Sequence, residues 1–157
     1  MLSIEEQIKN MARKAWRDVI QDKLKSEEPD FEYVVNLYKE FRTKLIELVQ
    51  NENKREYIKE KLDVELFTQM IKTDSFNRND FYSLINYSFN ICKTLGSPTR
   101  DDETDLLKNE VIKEFEKDIF CGISSFFLNI NICIDWIYED IIKVQENFEK
   151  APPNGQL

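Results

Sequence analysis

From Ile4 to Phe148 apolar residues return every three or four positions, and this nearly unbroken helical period constrains the fold more than any other feature of the chain. Sheets need tight turns, yet the 157 residues include only 3 glycines and 4 prolines. The spacing predicts an all-α, single-domain bundle of about six helices joined by short loops, spanning 1–150, with "APPNGQL" (151–157) as a disordered tail. A chain of this length holds one ordinary core and not two.

Ser3 with Glu6 reads as a capping box, followed by a stripe of Ile4, Ile8, Met11, Ala15 and Val19, widened by Trp16 and Ile20, that runs to about Ser26. Pro29 breaks this helix, and Asp30 caps a second one carrying Phe31, Val34, Tyr38, Phe41, Leu45 and Leu48 to about Gln50. Asn53 with Glu56 repeats the capping pattern, and Asp63 is placed to cap a further turn and a half bearing Leu66, Phe67, Met70 and Ile71. The spacing there fits either one bent helix or two. Phe81, Leu84, Ser88, Ile91 and Leu95 mark another helix, closed by Gly96 in a left-handed position. The last third keeps helical phase from Leu107 to Phe148, although "LNINICIDW" also alternates like a strand; a lone strand would leave its backbone groups unpaired, so the helical reading stands. A single helix over that length would overrun so small a domain. A break is therefore expected between Gly122 and Asn129, with Asn129 as a cap. Trp16 and Trp136 are read as core.

The charge of −8 repels phosphate backbones and anionic membrane surfaces, and the basic runs "KNMARK" and "ENKREYIKEK" are diluted by acids, so no nucleic-acid partner is expected. Cys92, Cys121 and Cys133 show no CxxC spacing and sit in apolar contexts that suit a reducing, cytoplasmic setting. The N-terminus lacks the pattern of a signal peptide, and no membrane span is expected. Abundant Lys, Asn, Ile, Phe and Tyr are what AT-rich coding produces, as in a large DNA virus or an intracellular parasite, in which case the setting is the host cytoplasm.

With no histidine, the usual general base and the Ser-His and Cys-His pairs are missing, and the scattered glycines make no phosphate loop. Glu60 with Asp63 gives one acidic pair at helical spacing but no facing pair for Mg²⁺. No catalytic residue, metal or cofactor is expected, and the chain reads as a non-enzyme.

"TLGSPTRDDE", residues 94–103, is where the helical period stops and unusual residues gather. Ser97 can cap with Pro98 in the first helical position, or Thr99 with Asp102 three residues on. Asp101, Asp102, Glu103 and Asp105 then sit favourably in a first turn. Capping does not explain Arg100, a cation at the positive end of the same helix. It requires a carboxylate partner or is displayed for binding. Pro98, Arg100, Asp101, Asp102 and Glu103 are thus a candidate interaction site or an inter-helix clamp, with Phe76, Phe81 and Tyr82 as a candidate apolar patch beside it.

Leu95, Gly96, Ser97, Pro98, Thr99, Arg100, Asp101, Asp102 and Glu103 resemble the Leu-Cys-Ala-Pro-x-Arg-Asp-Glu-Glu hallmark of the T-complex protein 11 family. "ARKAWRDVIQDKLKSEEPDFEYVVNLYKEFRTKLIELV" is similar to the family's opening, "EKLDVELFTQMI" to its Leu-Asp-hydrophobic-acidic segment, and Leu128, Asn129 and Ile130 fall where it has Leu-Asp-Met. Gly96 and Ser97 replace Cys-Ala, Asn129 replaces the Asp, and an Arg-Pro expected near Trp136 to Asp140 is absent. The family's members are longer, and the chain resembles their N-terminal part. The resemblance implies an all-helical protein without established catalytic activity, linked to cAMP and protein kinase A signalling. The expectation is a non-enzymatic module that binds a protein partner. The alternatives are an assembly protein forming a homodimer through the stripe from Ile130 to Phe148, and a small helical inhibitor of host cell death.

Overall fold

The structure, a computed structural model, describes residues 1–73 and 78–150, so the expected disordered tail lies outside the described residues. Seven α-helices and one 3-10 turn make up the described chain, without a strand among them. Helix α1 spans Ile4–Lys25, and its capping box forms as expected, with the Glu6 N–H donating to Ser3 Oγ at 3.1 Å and the Ser3 N–H to Glu6 Oε2 at 3.0 Å. Asp30 caps α2 (Phe31–Leu48) by accepting the Tyr33 N–H at 3.1 Å. The region that fitted one bent helix or two is two: α3 (Glu52–Lys61) and α4 (Val64–Lys72), separated by Leu62 and by Asp63, which accepts the Leu66 N–H. The cap of α3 is Asn51 rather than Asn53, because α3 starts two residues early and Asn51 Oδ1 is the acceptor within reach of the Lys54 N–H, at 3.1 Å. Helix α5 covers Arg78–Leu95, a 3-10 turn Pro98–Arg100, α6 Asp101–Lys117 and α7 Ile119–Glu149.

The expected break between Gly122 and Asn129 does not occur. It lies instead at Asp118, whose extended backbone (φ −164°, ψ 137°) separates α6 from α7 and whose carboxylate caps α7 by accepting the Phe120 N–H at 2.9 Å. Gly122 has a different purpose. A Cβ placed on it would stand 2.6 Å from Phe115 Cα, so the glycine is what lets α7 fold back against the end of α6. Asn129 is no cap either; its amide is buried and donates to Leu107 O and Glu110 Oε2, both at 3.0 Å, tying α7 to α6.

Helix α7 is the axis of the bundle, touching α1, α2, α5 and α6. Residues from Gly122 to Ile130 are buried without interruption, so this stretch is enclosed on every side rather than along one stripe. The core is aromatic: Phe126 meets Phe41 and Phe127 edge-on at 5.5 and 5.3 Å, Tyr38 stacks on Phe67 at 4.1 Å, and Phe81 stacks on Phe115 at 4.3 Å. By length and composition α7 could cross a membrane, yet 61% of its most apolar window is buried inside the bundle, which is how a central core helix reads.

The stripe read on α1 is only partly seated, its Trp16 and Ile20 edge meeting the core and the rest standing clear of it. Ile20 and Leu24 are buried and Trp16 packs against the core, whereas Ile4, Ile8, Met11 and Val19 are 76%, 61%, 72% and 41% exposed. At ~3.6 residues per turn the centres of the two sets lie about 140° apart around the helix, with Val19 and Trp16 at the border between them. Helix α1 lies antiparallel to α7, held by Gln21 Nε2 donating to Ser124 Oγ at 3.2 Å and by the Lys25–Asp118 pair at 3.2 Å, and no described element covers its outer face.

Candidate functional site

The turn joining α5 to α6 adopts the first of the two capping schemes. Ser97 Oγ accepts the Thr99 N–H at 3.4 Å, Pro98 opens the 3-10 turn, and Arg100 takes the cap position of α6 without a side-chain bond to the backbone. Gly96 is not left-handed; its N–H continues the ladder of α5 to Cys92 O at 2.9 Å, and a Cβ there would press to 3.0 Å from that oxygen, with Ile137 Cγ1 at 3.6 Å. The glycine serves close packing rather than a backbone reversal.

Arg100 reaches across to α7. Its Nε lies 3.4 Å from Asp140 Oδ2, one terminal nitrogen donates to Asp140 Oδ1 at 3.4 Å and stands 3.5 Å from Glu139 Oε2, and the guanidinium sits 5.0 Å from the centre of the Trp136 ring. The cation opposed by the dipole of α6 is thus held by two carboxylates forty residues on and by an aromatic face. Trp136 is half-buried and is one wall of this clamp as much as it is core. Asp101, Asp102 and Glu103 occupy the first turn of α6 as dipole-favoured acids, and Asp105 joins α6 to α5 through Lys93 at 3.0 and 3.1 Å. That hydrogen bond raises the Lys93 ammonium above its ordinary value. Directly beneath the clamp, Cys92 and Cys133 face one another beside Thr104. The hydrogen bond to Cys133, together with burial, pushes the Cys92 thiol well up, which keeps it protonated and unreactive.

The expected patch of Phe76, Phe81 and Tyr82 is not found beside Arg100. Phe81 is buried and stacked on Phe115, and Tyr82 is half-buried with its edge toward the same ring, at 5.5 Å. Both lie in the first turns of α5, at the far end from the 3-10 turn; Phe76 lies outside the described residues.

Two features went unread in the sequence. A cleft of about 310 Å³ opens between α3, α4 and α5, walled by Tyr38, Tyr57, Phe67, Met70 and Tyr87, with Lys61 and Asp80 among its lining residues. Burial raises the Tyr87 hydroxyl to about 12, and that oxygen is buried without a hydrogen-bond partner among the described residues. The second feature is the bare outer face of α1, whose stripe the sequence displays without showing which part of it is buried. Among the described residues no three His, Cys, Asp or Glu side chains gather in a way that could hold a metal ion.

Fold and site together define a class: an all-helical module whose hallmark loop is a helix-to-helix clamp and whose unfilled surfaces are apolar helix faces. The model of the T-complex protein 11 family matches residues 2–127, most of the 157, and the chain belongs to that family. No solved structure matches it. The matched stretch includes Arg100 and its acidic neighbours and ends inside α7, before the clamp partners Glu139 and Asp140.

Proposed function

We propose that the chain is a non-enzymatic helical module that binds another protein through the outer face of α1, and that it does so in a cytoplasmic pathway linked to cAMP and protein kinase A. The observation that carries this reading is the exposure of Ile4, Ile8, Met11 and Val19 along one side of a helix that its later turns, from Trp16 to Leu24, anchor to the bundle. Isolated exposed apolar residues are ordinary, but an aligned stripe over four turns of a rigid helix is the form that helix-in-groove and helix-pairing partners recognise. Family membership supports the choice of pathway. The clamp at Arg100 supports the division of labour, since its charges are consumed within the fold and leave the apolar face as the surface to be read.

Titration calorimetry of the full chain against a purified regulatory subunit of protein kinase A tests the reading. Binding by the wild type and its loss in Met11→Glu, with helix content unchanged, are expected. Equal binding by the two chains, or none by the wild type, overturns the assignment.

A further inference from the structure

Past Asp140 the central helix leaves the bundle. Helix α6 begins at Asp101 and Arg100 grips Asp140, so residues 141–149 extend about 13 Å beyond the clamp at ~1.5 Å per residue. All of them are exposed. Along α7 the residues Ile130, Ile134, Ile137, Ile141, Val144 and Phe148 recur at alternating steps of four and three, the spacing of a coiled-coil seam. The first three are 0%, 1% and 3% exposed, and the last three 38%, 68% and 83%. One seam therefore runs the length of the helix, filled by the chain's own core as far as Ile137 and bare after it.

We propose that the bare half of this seam pairs antiparallel with the same segment of a second copy of the chain. The seam is complementary to itself when reversed. A twofold axis between Ile142 and Lys143 sets Ile141 against Val144 of the second copy, a contact made twice, and carries Phe148 to the rim of the other bundle, where Ile137 is already covered. The chain's charge of −8 opposes self-association at long range, but the seam itself does not. Its flanking positions are Tyr138, Asp140, Gln145 and Asn147, and the one charge among them is already matched by Arg100. The same axis brings Tyr138 to Gln145 and Asp140 to Asn147, so no like charges meet. A parallel pair would instead set the two bundles against each other at one end of the seam. About three turns of helix bury less than the ~1,600 Å² of a standard interface, so the dimer is weak and concentration-dependent. This pairing and the α1 surface share no residue, and either can fail without the other.

Sedimentation of the full chain from low to several hundred micromolar tests it. The weight-average mass is expected to climb from 18.8 kDa toward twice that value. Val144→Glu, at an exposed position that leaves the fold intact by circular dichroism, is expected to remain monomeric throughout. Register is read by disulfide trapping with diamide in a Cys121→Ser background. Ile141→Cys chains mixed with Val144→Cys chains cross-link several-fold more than either alone. A wild type that stays monomeric, a Val144→Glu chain that dimerises equally, or each cysteine variant linking to itself as readily as in the mixture overturns the proposal.

Discussion

Replacing Arg100 by alanine removes the ion pairs between the hallmark loop and the point where α7 leaves the bundle. Exposed ion pairs contribute ~0–1 kcal/mol and breaking a fully buried one costs ~3–5 kcal/mol. The Arg100 and Asp140 side chains are 23% and 24% exposed, which places the pair between those limits. Its N···O distances of 3.4 Å exceed the ~2.7–2.9 Å of a tight charge-assisted bond, so the lower part of the range applies, about 1 to 1.5 kcal/mol. Loss of the stack on Trp136 adds ~0.5–1 kcal/mol. Glu139, half exposed, adds little. The expected total is about 2 kcal/mol. With a urea slope of ~2 kcal/mol/M for a domain of this size, the unfolding midpoint should drop by about 1 M with the slope unchanged. Asp140→Ala should overlap with it, leaving a coupling of about 1 kcal/mol in the double-mutant cycle. Arg100→Lys keeps the charge but not the planar stack and should recover only part of the loss. A midpoint for Arg100→Ala within the error of wild type would refute the clamp and leave the arginine free for a partner.

Gly122→Ala gains ~1 kcal/mol of helix propensity but sets a methyl 2.6 Å from the Phe115 backbone, which cannot swing aside; a net loss of about 2 kcal/mol is expected, and a rise in melting temperature would contradict the close crossing of α6 and α7. The Phe120 N–H, and after it Lys25, hold the Asp118 carboxyl below its ordinary value against the opposing effect of burial. Its folded-state value being depressed, its contribution is complete above the ordinary carboxylate range and is lost as pH falls through the lowered value. Asp118→Asn should therefore flatten the acid limb of a stability-against-pH curve, and an unaltered limb would show that the cap carries no charge effect. A maleimide should modify Cys121 in the folded protein and reach Cys92 and Cys133 only after unfolding in urea; fast modification of all three would contradict the buried pair.

What could be read from the sequence was whatever is decided within a few residues. Ser3, Asp30 and Asp63 cap the helices they were expected to cap, and Pro29 separates α1 from α2, because a cap needs only its own side chain and the next turn's N–H groups. Asn51 was missed for Asn53 because two asparagines compete within three residues and only the tertiary start of α3 chooses. The break at Asp118 was placed several residues too late because glycine usually signals an ending, whereas Gly122 signals contact with Phe115. Long-range choices were illegible for a deeper reason. A helix with a broad apolar stripe does not say which part of it is buried, so the exposure of Ile4, Ile8, Met11 and Val19 beside the buried Ile20 is not legible in α1 alone. The Arg100 clamp was half legible: its charge conflict with the dipole of α6 showed that a partner was needed, but Asp140 is a matter of how α7 passes the loop.

The outer face of α1 is the centre of the functional reading, and its independence from the core can be measured directly. Urea unfolding of the triple variant Ile4→Gln, Ile8→Gln, Met11→Gln should give a stability within about 0.5 kcal/mol of wild type, as for other substitutions at exposed positions. A loss of several kcal/mol, the cost of polar groups forced into a core, would mean that the stripe seats α1 in the bundle and is not available to any partner.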